Sequence, residues 1–121
     1  MGREPATVLV VDDDPSLRLL CRVNLELEGY RVVEAESVER ARAALTEEPV
    51  DAILLDVHLG GEDGLTLLPA IEDDGRAVAL LTGSPGVHLP DGATVIGKPF
   101  SIEELSKTVR RLVGRQGSSL G

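Results

Sequence analysis

Residues 51–56 read DAILLD, and the fold follows from them. Ala52 to Leu55 form an unbroken apolar run, the pattern of a central strand covered on both faces rather than of a strand with one wet side. Sheets built from such strands bind ligands in the crevice beyond the carboxyl ends of the strands. The run stops on an acid. A carboxylate there points into the crevice, so Asp56 is the candidate reacting residue.

Composition narrows what surrounds that strand. With 121 residues the chain supports one domain with a real core, expected over residues 5–114, and leaves residues 115–121 as a flexible tail or the start of a linker. The core has to be aliphatic, because Tyr30 and Phe100 are the only aromatics. A net charge of -9 argues against direct nucleic-acid contact, which depends on Lys and Arg neutralising phosphates, and against an anionic membrane surface. Cys21 is the single cysteine and forms no internal disulfide; it reads as a small buried hydrophobe. No apolar run is long enough for a signal core or a membrane span, so the expected location is cytoplasmic.

Going outward in both directions, strands and helices alternate. Val8 to Val11 is a first apolar strand that halts at Asp12, Asp13 and Asp14. Pro15 suits a first helical position, which makes Asp14 the N-cap and leaves Asp12 and Asp13 at the strand end with no structural duty. The first helix is expected over Pro15 to Glu28 with Leu17, Leu20, Cys21 and Leu25 on one face, ended by Gly29. Tyr30 to Glu34 is a second strand. Ser37 caps a second helix with Val38, Ala41, Ala44 and Leu45 inward. Beyond Asp56 the loop VHLGGEDG leads to a third helix over Gly64 to Glu72, and Arg76 to Leu81 is a fourth strand ending at Thr82 and Gly83. The run SPGVHLPDG, 84–92, holds too many breakers for a stable helix, and His88 within it is expected to face solvent. Thr94 to Ile96 is a fifth strand. Ser101 and Glu104 form a capping box for a last helix with Ile102, Leu105, Val109 and Leu112 buried.

Five βα units in so short a chain predict an α/β, flavodoxin-like, doubly wound five-stranded parallel sheet of order 2-1-3-4-5, with the fourth helix short or absent. Strands 1 and 3 are then neighbours, and Asp12, Asp13 and Asp56 meet at one edge. Close carboxylates repel by roughly 4 kcal/mol per pair at an effective dielectric of about 20. Lys98, just after strand 5, offers one counter-charge, and Mg²⁺, a hard cation content with a few protein oxygens, offers more.

These residues carry a resemblance. VLVVDDDP (8–15), LLDVHL (54–59) followed by DG (63–64), LLTG (80–83) and KPF (98–100) are together similar to the receiver domain of two-component response regulators, over residues 6 to about 113. The resemblance implies a CheY-like fold. It implies that Asp56 accepts a phosphoryl group from a histidine kinase or histidine phosphotransfer protein, with Mg²⁺ held by Asp12, Asp13, Asp56 and the backbone carbonyl of His58. Thr82 would contact the phosphoryl group with Gly83 as the small residue beside it, Lys98 would pair with it, and Pro99 would follow a cis peptide bond. The output would be contact with a downstream protein partner, and the only chemistry catalysed would be the domain's own phosphorylation and dephosphorylation.

Three departures stand out. Gly60 occupies a position where receivers commonly have proline, which predicts a looser loop after Asp56. Val95 replaces the usual switch aromatic. The short span from TGSPG to KPF is similar to the FAT GUY receivers linked to bacterial general stress signalling, whose aromatic positions are Leu80 and Ser84 here. These departures keep open a receiver-like interaction module that works without phosphorylation. A metal-dependent hydrolase with an aspartate nucleophile is disfavoured by the missing DxDxT spacing and cap domain. A flavin site is disfavoured by the acidic loop after strand 1.

Overall fold

The computed structural model describes residues 5–83 and 89–117. In chain order the elements are β1 (Thr7–Val11), α1 (Pro15–Leu27), β2 (Arg31–Ala35), α2 (Val38–Glu47), β3 (Ala52–Asp56), β4 (His58–Leu59), β5 (Glu62–Asp63), a 3-10 turn (Gly64–Leu67), α3 (Leu68–Asp73), β6 (Ala77–Thr82), β7 (Thr94–Gly97) and α4 (Ile102–Gly117). Five strands pair in the order β2-β1-β3-β6-β7, all parallel. This is the doubly wound order expected from the sequence, with β6 and β7 as its fourth and fifth strands. No helix among the described residues is long and apolar enough to cross a membrane.

The unbroken apolar runs are explained by a core on each side of the sheet. Val8, Val10, Ala52, Leu54, Ala79, Leu81 and Ile96 face one way, against Cys21 and Leu25 of α1 and Leu105, Val109 and Leu112 of α4. Leu9, Val11, Ile53, Leu55 and Leu80 face the other way, against Ala41, Ala44 and Leu45 of α2 and Leu67 and Ile71 around α3. Successive side chains of one strand thus serve opposite cores. Each fully buried Leu or Ile stabilises the fold by about 1.5–3 kcal/mol, and β1 and β3 are buried from end to end.

Helix starts follow the capping residues. Asp14 Oδ1 accepts from the Ser16 N–H at 2.9 Å with Pro15 as the first helical residue, Ser37 Oγ accepts from the Arg40 N–H at 3.2 Å, and Ser101 Oγ accepts from the Glu104 N–H at 3.0 Å.

Three expectations are revised. Leu20 is 42% exposed rather than part of the buried face of α1; the sheet takes only the narrow stripe Leu17, Cys21 and Leu25, one residue per turn. The third helix does not begin at Gly64. Pro69 has no N–H to bond the Leu65 carbonyl, so the chain enters through a 3-10 turn capped by Asp63 and becomes α-helical at Leu68. The loop after Asp56 is not loose: β4 and β5 close it as an antiparallel hairpin pairing His58 with Asp63 and Leu59 with Glu62. Gly60 and Gly61 form its two-residue turn with φ of 51° and 97°, the pattern that favours glycine at both central positions. The last helix, α4, runs through Gly117, and residues 118–121 lie outside the described residues.

The crossover from β6 to β7 shows no helix at Gly83 or over 89–93, and four α-helices are present among the described residues, as a shortened fourth crossover requires. Residues 84–88, with the expectation for His88, lie outside the described residues. Val95 is exposed on the edge strand β7 while Ile96 points inward.

The hairpin generates a direct test. Proline fixes φ near −65°, whereas Gly60 has φ of 51°. Gly60→Pro, although it installs the more common receiver residue, is expected to lower stability by more than about 1 kcal/mol in urea unfolding. An unchanged or raised midpoint would contradict the turn described here.

Candidate functional site

The register of the sheet assembles the site. Val11 pairs with Leu55, so Asp12 and Asp56 emerge side by side one step further on. On the other side of β3, Asp56 pairs with Leu81, and Thr82 pairs with Gly97 immediately before Lys98. Four separated stretches of sequence therefore deliver Asp12, Asp56, Thr82 and Lys98 to one edge.

Asp12 and Asp56 are buried, at 0% and 4% exposure, and Asp13 is exposed. Lys98 Nζ donates to both buried acids, at 2.8 Å to Asp12 Oδ2 and 3.1 Å to Asp56 Oδ2. Their other oxygens accept backbone N–H groups: Asp14 N donates to Asp12 Oδ1 at 2.9 Å and His58 N to Asp56 Oδ1 at 3.0 Å. The His58 side chain is exposed. One carboxylate oxygen from each of Asp12, Asp13 and Asp56 lies within 4.8 Å of the others.

Burial pushes the Asp56 carboxyl above its ordinary value, and the charge of Asp12 adds to the rise; the His58 N–H and Lys98 oppose it without cancelling it. Burial would lower Lys98, but its hydrogen bonds and ion pairs with Asp12 and Asp56 prevail and raise it, so the ammonium stays charged. Cys21, buried beneath the site, is pushed up to about 11 by desolvation and by Asp12, and its thiol stays neutral at pH 7.

Thr82 ends β6, and its carbonyl accepts from the Lys98 N–H at 2.8 Å. Gly83 sits beside Lys98, where an added Cβ would make only ordinary contact at 3.7 Å with the Lys98 Cβ. The Lys98–Pro99 bond is cis, as the resemblance implies.

Four further residues, Gly64, Arg18, Arg22 and Glu34, shape the site in ways that escaped the sequence reading. A Cβ on Gly64 would overlap the Asp56 carbonyl oxygen, so the backbone behind Asp56 tolerates only glycine there. The Asp63–Gly64 pair was a visible signal, but its reason was not. Arg18 donates from Nη1 to the Asp12 carbonyl at 2.8 Å and from Nε to Glu34 Oε1 at 3.0 Å. Arg22 Nη1 reaches the second Glu34 oxygen at 2.8 Å. Nothing in the spacing of Arg18 and Glu34 announces this pairing, which depends on β1 and β2 lying side by side.

Three carboxylates against one ammonium leave two negative charges in excess, and every donor atom is an oxygen. This set fits a hard divalent cation such as Mg²⁺. Asp12, Asp13 and Asp56 are the side chains that could hold it.

An aspartate pocket with a bridging lysine, set at the carboxyl edge of a doubly wound five-stranded sheet, defines the class of α/β domain to which this chain is to be compared. The sequence profile of the response regulator receiver domain matches residues 8–110, and the chain belongs to that family. Among its relatives is the probable transcriptional regulatory protein TcrX of Mycobacterium tuberculosis, 36% identical over 122 residues covering 94% of this chain and 52% of TcrX. The chain spans about half the length of the curated relatives it matches first. The response regulator receiver domain protein (CheY-like) of Methanospirillum hungatei superposes with a TM-score of 0.86 at 26% identity, covering 95% of this chain and 98% of that one. Chemotaxis protein CheY4 of Vibrio cholerae gives 0.78 at 29%, covering 89% and 98%.

The network around Glu34 has a defined pH signature. Burial alone would raise the Glu34 carboxyl, but the hydrogen bonds and charges of Arg22 and Arg18 outweigh it and hold the group below 4.5. A lowered folded-state value means that the stabilisation is complete above 4.5 and is lost as pH falls through the folded value. Glu34→Gln is expected to cost about 1 kcal/mol at pH 7, with the difference from wild type closing in urea titrations run progressively below pH 4.5. A gap that persists unchanged in acid would contradict the ion-pair account.

Proposed function

We propose that this domain accepts a phosphoryl group on Asp56 from the phosphohistidine of a histidine kinase or histidine phosphotransfer protein, and that the modified state is read by a protein partner. The observation that carries this reading is the convergence of Asp12, Asp13 and Asp56 oxygens within 4.8 Å, with Lys98 bridging the two buried acids. A purely structural edge has no need of three converging carboxylates.

Phosphoryl transfer is mainly positioning and charge neutralisation. An Asp56 oxygen forms the bond to phosphorus while the bond from phosphorus to the donor imidazole nitrogen breaks, and the leaving nitrogen keeps the electron pair. Oδ1 is oriented by the His58 N–H and Oδ2 by Lys98, so the carboxylate meets the donor in a fixed pose. Asp12, Asp13, Asp56 and the His58 carbonyl would hold Mg²⁺, which would supply charge stabilisation to the transferring group. Lys98 keeps its bond to Asp12 while following the new charge from Asp56 to the phosphoryl oxygens, and Thr82 offers its hydroxyl from the neighbouring strand end. The product adds close to two negative charges. Moving a 1:99 equilibrium to 99:1 needs about 5.5 kcal/mol, within reach of a few charge-assisted hydrogen bonds.

Incubation with acetyl phosphate followed by intact-mass measurement tests this reading. One phosphoryl adduct is expected, dependent on Mg²⁺ and absent from Asp56→Asn. A folded, metal-binding protein that never gains the adduct would overturn it in favour of an interaction module.

The donor is proposed to approach along α1. Leu19, Leu20, Val23 and Leu27 are exposed along this helix, up to 80% at Leu27, an unusual load of large apolar side chains on one surface helix. The row continues into a cavity of about 390 Å³ lined by Asp14, Leu17, Leu20, Lys98, Pro99 and Phe100, directly beside the acids. An apolar helix of the donor seated there would carry its histidine to Asp56. Leu20→Glu is expected to slow transfer from a panel of autophosphorylated histidine kinases by about tenfold or more while leaving the acetyl phosphate reaction unchanged. Equal rates with both donors would remove α1 from the docking surface. The net charge of -9 supports output through protein contact rather than direct DNA contact by these residues.

A further inference from the structure

We infer that Arg18 is a positioning residue for the metal-binding acid pair, acting through the Asp12 backbone; the inference rests on the function proposed above. Asp12 is held at every polar group. Its N–H donates to the Ala35 carbonyl at 3.1 Å, its carboxylate takes the Asp14 N–H and Lys98, and its carbonyl accepts from Arg18 Nη1 at 2.8 Å. The last bond matters for Asp13. A planar peptide joins the Asp12 carbonyl to the Asp13 N–H, so the direction of the carbonyl sets the direction in which Asp13 leaves the strand. Asp13 is exposed and has no core packing to fix it.

The guanidinium is itself fixed. Its Nε is paired with Glu34 Oε1 at 3.0 Å, and Glu34 stands on β2 opposite Val10 of β1. Arg22 holds the other Glu34 oxygen at 2.8 Å. A rigid line therefore runs from β2 through Glu34 and Arg18 to the Asp12 carbonyl. Arg18 reaches the carboxylate through Nε and the carbonyl through Nη1, two nitrogens held apart in one plane; a lysine ammonium in its place keeps the charge but offers a single nitrogen.

Charge and position make opposite predictions, which gives the test its sign. Removing a cation next to three carboxylates strengthens cation binding if charge alone matters. It weakens binding if Arg18 sets the geometry of Asp12 and Asp13. Mn²⁺ titration of the full chain, followed by electron paramagnetic resonance of the free ion, reads affinity without any phosphorylation. Arg18→Met is expected to weaken Mn²⁺ binding by about tenfold, the scale of outer-shell effects on metal sites. Arg18→Lys is expected to weaken it as well. Arg22→Met removes the same charge from the same Glu34 but does not touch Asp12, and it is expected to stay within about twofold of wild type. Circular dichroism establishes that each variant is folded. If Arg18→Met does not fold, Arg18→Lys, which keeps the charge but not the two-point grip, decides the matter by the same readout.

Wild-type affinity or tighter binding in the Arg18 variants overturns the inference and leaves the metal site standing. Equal weakening in the Arg18 and Arg22 variants overturns it too, because the effect would then belong to the ion-pair network and not to the Asp12 carbonyl. Wild-type protein that binds no Mn²⁺ in a manner abolished by Asp13→Asn removes the function proposed above, and this inference with it.

Discussion

The Lys98 ammonium lies between two carboxylates that the fold has taken out of water, and the rest of the edge depends on that arrangement. Asp12 and Asp56, within 4.8 Å of each other, repel by roughly 3–4 kcal/mol at an effective dielectric of about 20. One lysine within 3.1 Å of both offsets that repulsion, and the backbone N–H groups of Asp14 and His58 satisfy the remaining oxygens. The compensation is incomplete. Asp56 still titrates above its ordinary range because burial disfavours its charge, and Asp13 adds a third carboxylate with no second lysine. A site left two negative charges in excess, with its carboxyl oxygens converging, fits a hard cation.

The scaffold supplies this at small cost in irregular structure. In β1 and β3 every side chain is buried, so the strands cannot slip in register without exposing apolar surface, and their last residues are placed accordingly. The residues after the strands do the remaining work. Asp14 starts α1 and donates its N–H to Asp12; Gly64 lets the chain pass directly behind Asp56; the hairpin turn at Gly60 and Gly61 returns the chain toward α3. Where receivers commonly have a proline, this chain reaches order by a different local geometry.

Much of this was legible in the sequence because the decisive signals were local. Apolar runs ending in acids, an N-cap before Pro15 and the breakers of the fourth crossover report on neighbouring residues, and they led to the strand order and to Asp12, Asp13, Asp56 and Lys98 at one edge. What escaped needed the third dimension or a competing local rule. Leu20 fits the apolar face of α1 by periodicity, but the sheet accepts only one residue per turn, and Leu20 turns outward. Gly60 suggested slack until its positive φ and the pairing of β4 with β5 gave the loop a turn type. Arg18 and Glu34 look like ordinary surface charges, and only the adjacency of β1 and β2 joins them to the Asp12 carbonyl.

Lys98 and the three carboxylates form one unit whose two excess negative charges leave a place for a divalent cation. Anomalous diffraction from crystals soaked in Mn²⁺ tests it most directly. A single strong peak is expected at about 2.2 Å from carboxylate oxygens of the Asp12, Asp13 and Asp56 cluster, with Lys98 still bonded to Asp12. A cluster without a peak at millimolar Mn²⁺, or a peak that forms only with Lys98 swung away from both acids, would contradict it.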